Sequence, residues 1–370
     1  MSVVTQLALT DFRCYPSVDL AFPAGVTVIS GSNGEGKTSL LEALGWAATA
    51  HSFRGVPDAA LVRSGADAAY VRVIVREPDR EQLLEAEIRA AGRNRVRLNR
   101  HPLTRARDLL GLVRVTVFSP DDLQLVKGGP AERRAYLDEL LVAIAPRYDA
   151  VRSDFERVLK QRNTLLRQGV RAPDGESTLS VFDDQLVSAG SELVRGRLRL
   201  AARLLPSVRD AYQRLAGADM DVEATYEAEW AEGSVPPAAD DVEELLRGAL
   251  AARRRAELER GVTLVGPHRD EWRLRLAALD ARLHASQGEQ RTLALGLRLA
   301  GHHVCADVVG TEPVLLLDDV FSELDADRGE ALVAQLPAGQ TLITTASSVP
   351  AAVHPECRLR VRDGRVEEGG

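Results

Sequence analysis

The chain has 370 residues, 45% of them apolar and 27% charged, with a formal net charge of −7. Such a length exceeds one hydrophobic core and calls for two domains, or a core with an insertion. The negative balance excludes a protein that coats nucleic acid with its whole surface, though not one with a local basic groove, and no apolar run approaches the ~20 residues of a membrane span.

Met1–Thr5 lacks the basic and apolar regions of a signal peptide, so a cytoplasmic location is expected. Residues 3–30 read as strands, alternating through Val4-Thr5-Gln6-Leu7-Ala8-Leu9 and turning near Pro23-Ala24-Gly25. Val26-Thr27-Val28-Ile29 reads as a buried strand and leads into Gly31-Ser32-Asn33-Gly34-Glu35-Gly36-Lys37-Thr38, the P-loop pattern. A helix follows from Ser39 through Leu44. Strand, glycine turn and helix are the context the pattern needs. The glycines let backbone N–H groups converge on a phosphate, and the helix N-terminus adds partial positive charge. Gly31 through Ser39 are therefore the expected nucleotide-binding residues, with Lys37 on the outer phosphates and the Thr38 hydroxyl on Mg²⁺. Only Lys37, Lys127 and Lys160 are lysines, and one of them stands where a P-loop needs a compact charge.

Further along, 69–76 alternates like a half-exposed strand, and 83–89 with 95–99 read as a hairpin across Ala91-Gly92-Arg93. The character changes at Phe118-Ser119-Pro120-Asp121-Asp122, where Ser119 suits an N-cap, Pro120 the first helical position and Asp122 the third position of a capping box. From there to Val262 helices are expected at 131–144, 147–168, 178–203 and 241–260, with a strand at 221–227. Breaks at Pro146, 171–175, Pro206 and Pro236-Pro237 argue against any helix long enough for an extended coiled coil. Strand patterns return at 262–265 and 272–276, a helix starts after Ser286, and buried strands follow at 314–317 and 340–345. Cys14, Cys305 and Cys357 match no disulfide or zinc spacing. His302-His303 are neighbours on a helix and point apart, so packing histidines are expected rather than a metal pair.

Val314-Leu315-Leu316-Leu317-Asp318-Asp319 has the Walker B form: a buried strand delivers a carboxylate at its C-terminal edge, close to where the P-loop leaves its own strand. Asp318 is expected to hold the Mg²⁺ shell and Asp319 to polarise the attacking water. Ser286-Gln287-Gly288-Glu289-Gln290 has two readings. Ser286 and Glu289 alone make a capping box. Lying between the Walker motifs, Ser286, Gln287 and Gly288 also fit the signature of ABC-type ATPases, in which a helix end faces the γ-phosphate held by another subunit. One helix end can be both.

With Phe12-Arg13-Cys14-Tyr15, Phe118 through Leu123, Leu125-Val126-Lys127-Gly128, Arg133-Arg134, Leu137-Asp138, Gly266-Pro267-His268-Arg269-Asp270 and Leu315 through Asp325, the chain resembles the RecF family over nearly its whole length. These are recombination-mediator ATPases related to SMC-type heads. The resemblance implies an α/β P-loop ABC-type ATPase head built from N- and C-terminal segments (1–118 and 263–370), with a mainly α-helical inserted lobe at 119–262. It also implies an ATP-dependent homodimer that binds duplex DNA beside single-strand gaps and works with RecR and RecO to load RecA. By analogy with related heads, Arg13 is expected to touch nucleotide. Two departures stand out: Asp319 occupies the position where ABC-type heads usually carry Glu, and Thr344-Thr345 stands where many relatives place a switch histidine. Both point to slow hydrolysis, suited to a switch. No residue is assigned to the Q-loop, and Gln124 is a poor candidate.

Arginines are dense around the hairpin (Arg89, Arg93, Arg95, Arg97, Arg100, Arg105, Arg107), at Arg133-Arg134 and at Arg253-Arg254-Arg255. Each cluster reads either as solvated charge paired with nearby acids or as a backbone contact to duplex DNA. Aromatics, at 4%, are too sparse for a base-stacking platform. The rival readings are the ATPase subunit of a membrane transporter, which shares all three motifs, and a small-molecule P-loop kinase, which needs no Ser-x-Gly signature.

Overall fold

A computed structural model describes residues 2–169, 175–217, 219–231 and 240–369. The chain divides into two compact units: Met1–Asp122 with Arg214–Gly217 and Leu295–Gly370, and Leu123–Gln213 with Ala218–Ala294.

The first unit holds two six-stranded sheets. One is antiparallel, in the order 15–21, 3–12, 68–76, 81–89, 95–98, 101–102. The other has a parallel core in the order 357–362, 26–30, 341–345, 314–318, 115–118, with 365–368 antiparallel on its edge. Helix Lys37–Thr49 packs on strands of both sheets, which is why it reads as apolar on all sides: Leu40, Leu41, Leu44 and Trp46 are buried in one cluster with residues from each sheet. Val314–Asp318 and Thr341–Thr345 are buried along their whole length, as central parallel strands are. Val26–Ser30 pairs in parallel with strands on both sides, so the loop that follows it leaves the C-terminal edge of the sheet, where open α/β sheets bind ligands.

The second unit is helical, with a three-stranded sheet in the order 279–280, 271–276, 222–227. Its helices include Pro130–Ile144, Arg147–Gln168 and Val242–Arg260. Buried ion pairs organise it. Arg162 bridges Asp183 and Glu257, at 2.7 and 2.6 Å, and bonds the Thr263 hydroxyl at 2.9 Å. Arg197 holds Asp138 through two 2.7 Å bonds and donates to the Pro267 carbonyl. Pairs this well buried are costly to half-remove, because the survivor is left as an uncompensated charge.

Two sequence expectations fail here. Pro206 does not end a helix: Gly175–Ala216 runs for 42 residues with Pro206 inside it, about 63 Å at the ~1.5 Å rise of an α-helix. Leu204, Val208, Ala211, Tyr212 and Leu215 are buried on both sides of the proline, and that packing outweighs the lost N–H donor. The apolar run 262–265 is not a strand. Its backbone is satisfied by side chains instead: Asn163 accepts from the Thr263 N–H at 2.7 Å, and Glu257 from the Leu264 N–H at 2.7 Å. The breaks expected at 171–174 and Pro236-Pro237 lie outside the described residues.

His302, in the first unit, is fully buried, with Nδ1 3.0 Å from the Thr116 hydroxyl. Burial pushes its pKa down to about 4, and the same cause brings His268 in the second unit to about 4. The unfolded chain protonates both near 6.5. Their contribution to stability is therefore complete above pH 6.5 and is lost as pH falls from 6.5 toward 4. Asp270, raised by burial to about 6, opposes this over the window from 6 to 3.8, because there the folded chain binds the proton first. The midpoint of thermal unfolding is expected to drop over this acid range, and His302→Gln to flatten the drop. Parallel curves for the two proteins would contradict this role for His302.

Candidate functional site

The glycine loop takes backbone conformations that a side chain would oppose. Gly34 has φ 86° and Gly36 φ 110°, and a Cβ on Gly36 would lie 2.4 Å from Cys14 Sγ. The loop is braced from outside. The Tyr15 hydroxyl donates to the Gly36 carbonyl at 3.0 Å, and the Glu35 carboxylate accepts from the Asp363 N–H. Lys37 Nζ donates to the Gly31 and Ser32 carbonyls, both at 2.8 Å, so the ammonium is fixed within the loop with one N–H still free of these bonds. Ser39 is buried in the first turn of the helix, and its backbone N–H bonds the Gly36 carbonyl.

Thr38 Oγ1 donates to Asp318 Oδ1 at 2.8 Å, joining residues 280 positions apart. Thr344 Oγ1 donates to the same oxygen at 2.7 Å. Asp318 is 6% exposed, and burial raises its pKa. The two hydroxyls oppose that rise, Asp319 adds to it, and Arg54 counters it from a distance. A buried carboxylate with hydroxyl donors and, among the described residues, no contacting cation is suited to a small hard ion. Thr38 and Asp318 would supply oxygen to it, with phosphate and water as the remaining ligands. Among the described residues no cluster of three or more His, Cys, Asp or Glu side chains is fit for a metal.

Asp319 sits at φ 51°, ψ 27°, a left-handed conformation uncommon outside glycine. Its N–H bonds Thr344, and its Oδ1 accepts from the Ala346 N–H at 3.3 Å. Strain held by bonds to the neighbouring strand is how an acid is kept aimed at one place.

Of the sequence-derived site residues, Gly31 through Ser39, Asp318 and Asp319 all belong to the first unit. Ser286, Gln287 and Gly288 belong to the second. There the Ser286 N–H bonds Glu289 at 2.7 Å and the Glu289 N–H returns to Ser286 Oγ at 3.3 Å, a reciprocal capping box at the start of helix Gln287–Val309. Gln290 ties that helix end to the Ala281 and Arg282 carbonyls. Arg13 is engaged elsewhere: it forms a bidentate pair with Glu42, at 2.8 and 2.7 Å, and donates to the Ala60 carbonyl, none of which lies in the loop. Thr344 drew attention in the sequence only as the residue replacing a histidine; its bond to Asp318 makes it part of the site. Nothing in the sequence marks Arg54.

The arginine clusters separate. Arg133 is buried against Glu271 and the Leu125 and Gly128 carbonyls, and Arg134 donates to the Asp270 carbonyl, so this cluster is structural. Arg254 pairs with Asp183, and Arg255 with Glu259. At the hairpin Arg89 and Arg95 share Glu87, while Arg93, Arg97, Arg100 and Arg105 are exposed. His268 is a packing residue, with Nε2 3.2 Å from the Thr263 carbonyl.

A P-loop and a buried Walker carboxylate on a parallel sheet, backed by an antiparallel sheet, define an ABC-type ATPase head. The family described as RecF/RecN/SMC N terminal domain matches residues 3–350. The chain is 47% identical to the DNA replication and repair protein RecF of Streptomyces avermitilis, over 98% of this chain and 99% of that one. It is 50% identical to the protein of that name from Frankia alni, over 94% and 95%. A solved structure described as the recombination mediator protein RecF-ATP in the RecFOR pathway superposes with a TM-score of 0.91 at 29% identity, covering 100% of this chain and 98% of the other. The chain belongs to the RecF family.

The Thr344 hydroxyl favours the charged form of Asp318, so its removal raises the carboxyl pKa further. Thr344→Val is therefore expected to move the acid limb of the pH profile for ATP hydrolysis upward. An unmoved limb would show that Asp318 does not titrate in that profile.

Proposed function

We propose that the chain is an ATP-gated DNA-binding ATPase of recombinational repair and replication maintenance, acting in the cytoplasm. The observation that carries this reading is the Thr38–Asp318 contact at 2.8 Å, which joins the phosphate loop to the Walker carboxylate. ATP is held by Gly31 through Ser39, with Lys37 stabilising charge on the outer phosphates. Thr38 and Asp318 would hold Mg²⁺, which would neutralise charge on the phosphates. Asp319 orients the attacking water. Its carboxylate is one methylene shorter than the usual Glu, which fits slow turnover.

Two protomers close around two nucleotides, each P-loop being completed by Ser286, Gln287 and Gly288 of the partner subunit. The capping box that fixes Ser286 at a helix N-terminus supports this, because such an end favours a phosphate. Closure assembles a surface for duplex DNA beside single-strand gaps, with Arg93, Arg97, Arg100 and Arg105 as exposed contacts. RecR is the direct protein partner, with RecO and RecA downstream. Hydrolysis reopens the dimer. Among the described residues no helix is long and apolar enough to cross a membrane.

Lys37→Met is expected to abolish nucleotide binding. Ser286→Arg is expected to bind ATP as the parent chain does yet to sediment as a monomer with ATP. A Ser286→Arg protein that dimerises normally would remove the trans-site mechanism.

A further inference from the structure

A second basic surface lies on the strand that ends the parallel sheet, and no motif marks it. In Cys357–Arg362 the pleat sends Leu359 and Val361 into the core and leaves Arg358, Arg360 and Arg362 exposed on the opposite face. Alternate residues of a strand stand about 6.7 Å apart, so the three guanidinium groups form a row about 13 Å long. Arg365 joins the row from the edge strand, directly opposite Arg362. Arg13, Arg133, Arg162 and Arg197 are each tied to a carboxylate. In this row, among the described residues, Arg358 and Arg360 form no ion pair, and Arg362 has only its exposed neighbour Asp363, 3.9 Å away. Glu367 lies opposite Arg360 in register without pairing to it.

Arg358 also lines a cavity of about 310 Å³ with Ser30, Thr345, Ser347 and Ser348. Guanidinium groups grip phosphate oxygens; the Ser30 and Thr345 hydroxyls there already donate to the Leu359 and Ser347 carbonyls, so the arginines carry the grip. No Phe, Trp or Tyr occurs between Thr341 and Glu368, so this face offers neither a stacking platform for unpaired bases nor an aromatic anchor for lipid. Both flanks of the row are fastened to the nucleotide site. The Asp363 N–H is held by Glu35 of the P-loop, and the loop carrying Ser347 is held through Ala346 by Asp319.

We propose that Arg358, Arg360 and Arg362 form a phosphate rail for the backbone of duplex DNA, at the opposite end of the chain from the hairpin arginines. The proposal rests on the DNA-binding reading given above and adds a site to it. The test compares the parent chain, an Arg358→Gln/Arg360→Gln/Arg362→Gln variant and the matching triple Arg→Lys variant. Each is measured with ATP by fluorescence anisotropy on a labelled gapped duplex across a salt series. Each phosphate no longer neutralised should lower the slope of log K against log salt by about 0.9, so the Gln variant should show a slope smaller by about 2.7 and an affinity at least tenfold weaker at low salt. The Lys variant should keep most of both, and all three proteins should bind a fluorescent ATP analogue equally. A Gln variant with the parent's slope and affinity overturns the rail and leaves the DNA-binding reading standing. A parent chain that does not bind the duplex at all overturns both. Equal losses in the Gln and Lys variants show that charge is not what matters there and also overturn the rail.

Discussion

A single carboxylate oxygen, Asp318 Oδ1, accepts hydroxyl bonds from Thr38 and Thr344 at the centre of the nucleotide unit. The three residues sit at the C-terminal ends of neighbouring strands or just beyond, so the contact exists only if the parallel strands are in the right order and register. Burial penalises the charge on Asp318, and the two hydroxyls offset part of that penalty. The group is thus held as a poised anion whose natural complement is a cation presented with phosphate. Lys37, drawn back onto the loop carbonyls, sets the opposite charge in the same rigid turn.

Much of this was legible in the sequence because the relevant signals are local. Strand, glycine turn and helix are adjacent in the chain, and a buried strand ending in acids advertises itself. The Asp318–Thr344 contact was not legible. It depends on lateral pairing between Val314–Asp318 and Thr341–Thr345, which residue order does not specify. Pro206 illustrates the reverse case: a firm local rule gives way to apolar packing on both flanks of the proline. The run 262–265 looked like a strand because its apolar residues imitate one. Its backbone is instead bonded by the side chains of Asn163 and Glu257. Charge clusters were the least legible of all. Arg133 and Arg134 look like a surface patch on paper and are core ion-pair and carbonyl ligands in the fold.

The loop region is also supported by parts of the chain that carry no nucleotide motif. Tyr15 reaches the Gly36 carbonyl from the first strand turn, and the last hairpin meets Glu35 through the Asp363 N–H. The P-loop is therefore clasped between the two ends of the sequence. That arrangement suits a switch, since a change at the phosphates is felt by elements already bonded to the loop. Ser286 presents a different kind of design, a helix end whose capping bonds are satisfied locally by Glu289.

The most direct measurement is the anomalous scattering of Mn²⁺ in crystals grown with a slowly hydrolysed ATP analogue. The ion is predicted at the Thr38 hydroxyl, with Asp318 facing it and the direct Thr38–Asp318 bond opened. A structure in which that bond persists and the ion lies away from both residues would contradict the magnesium site and the switch built on it.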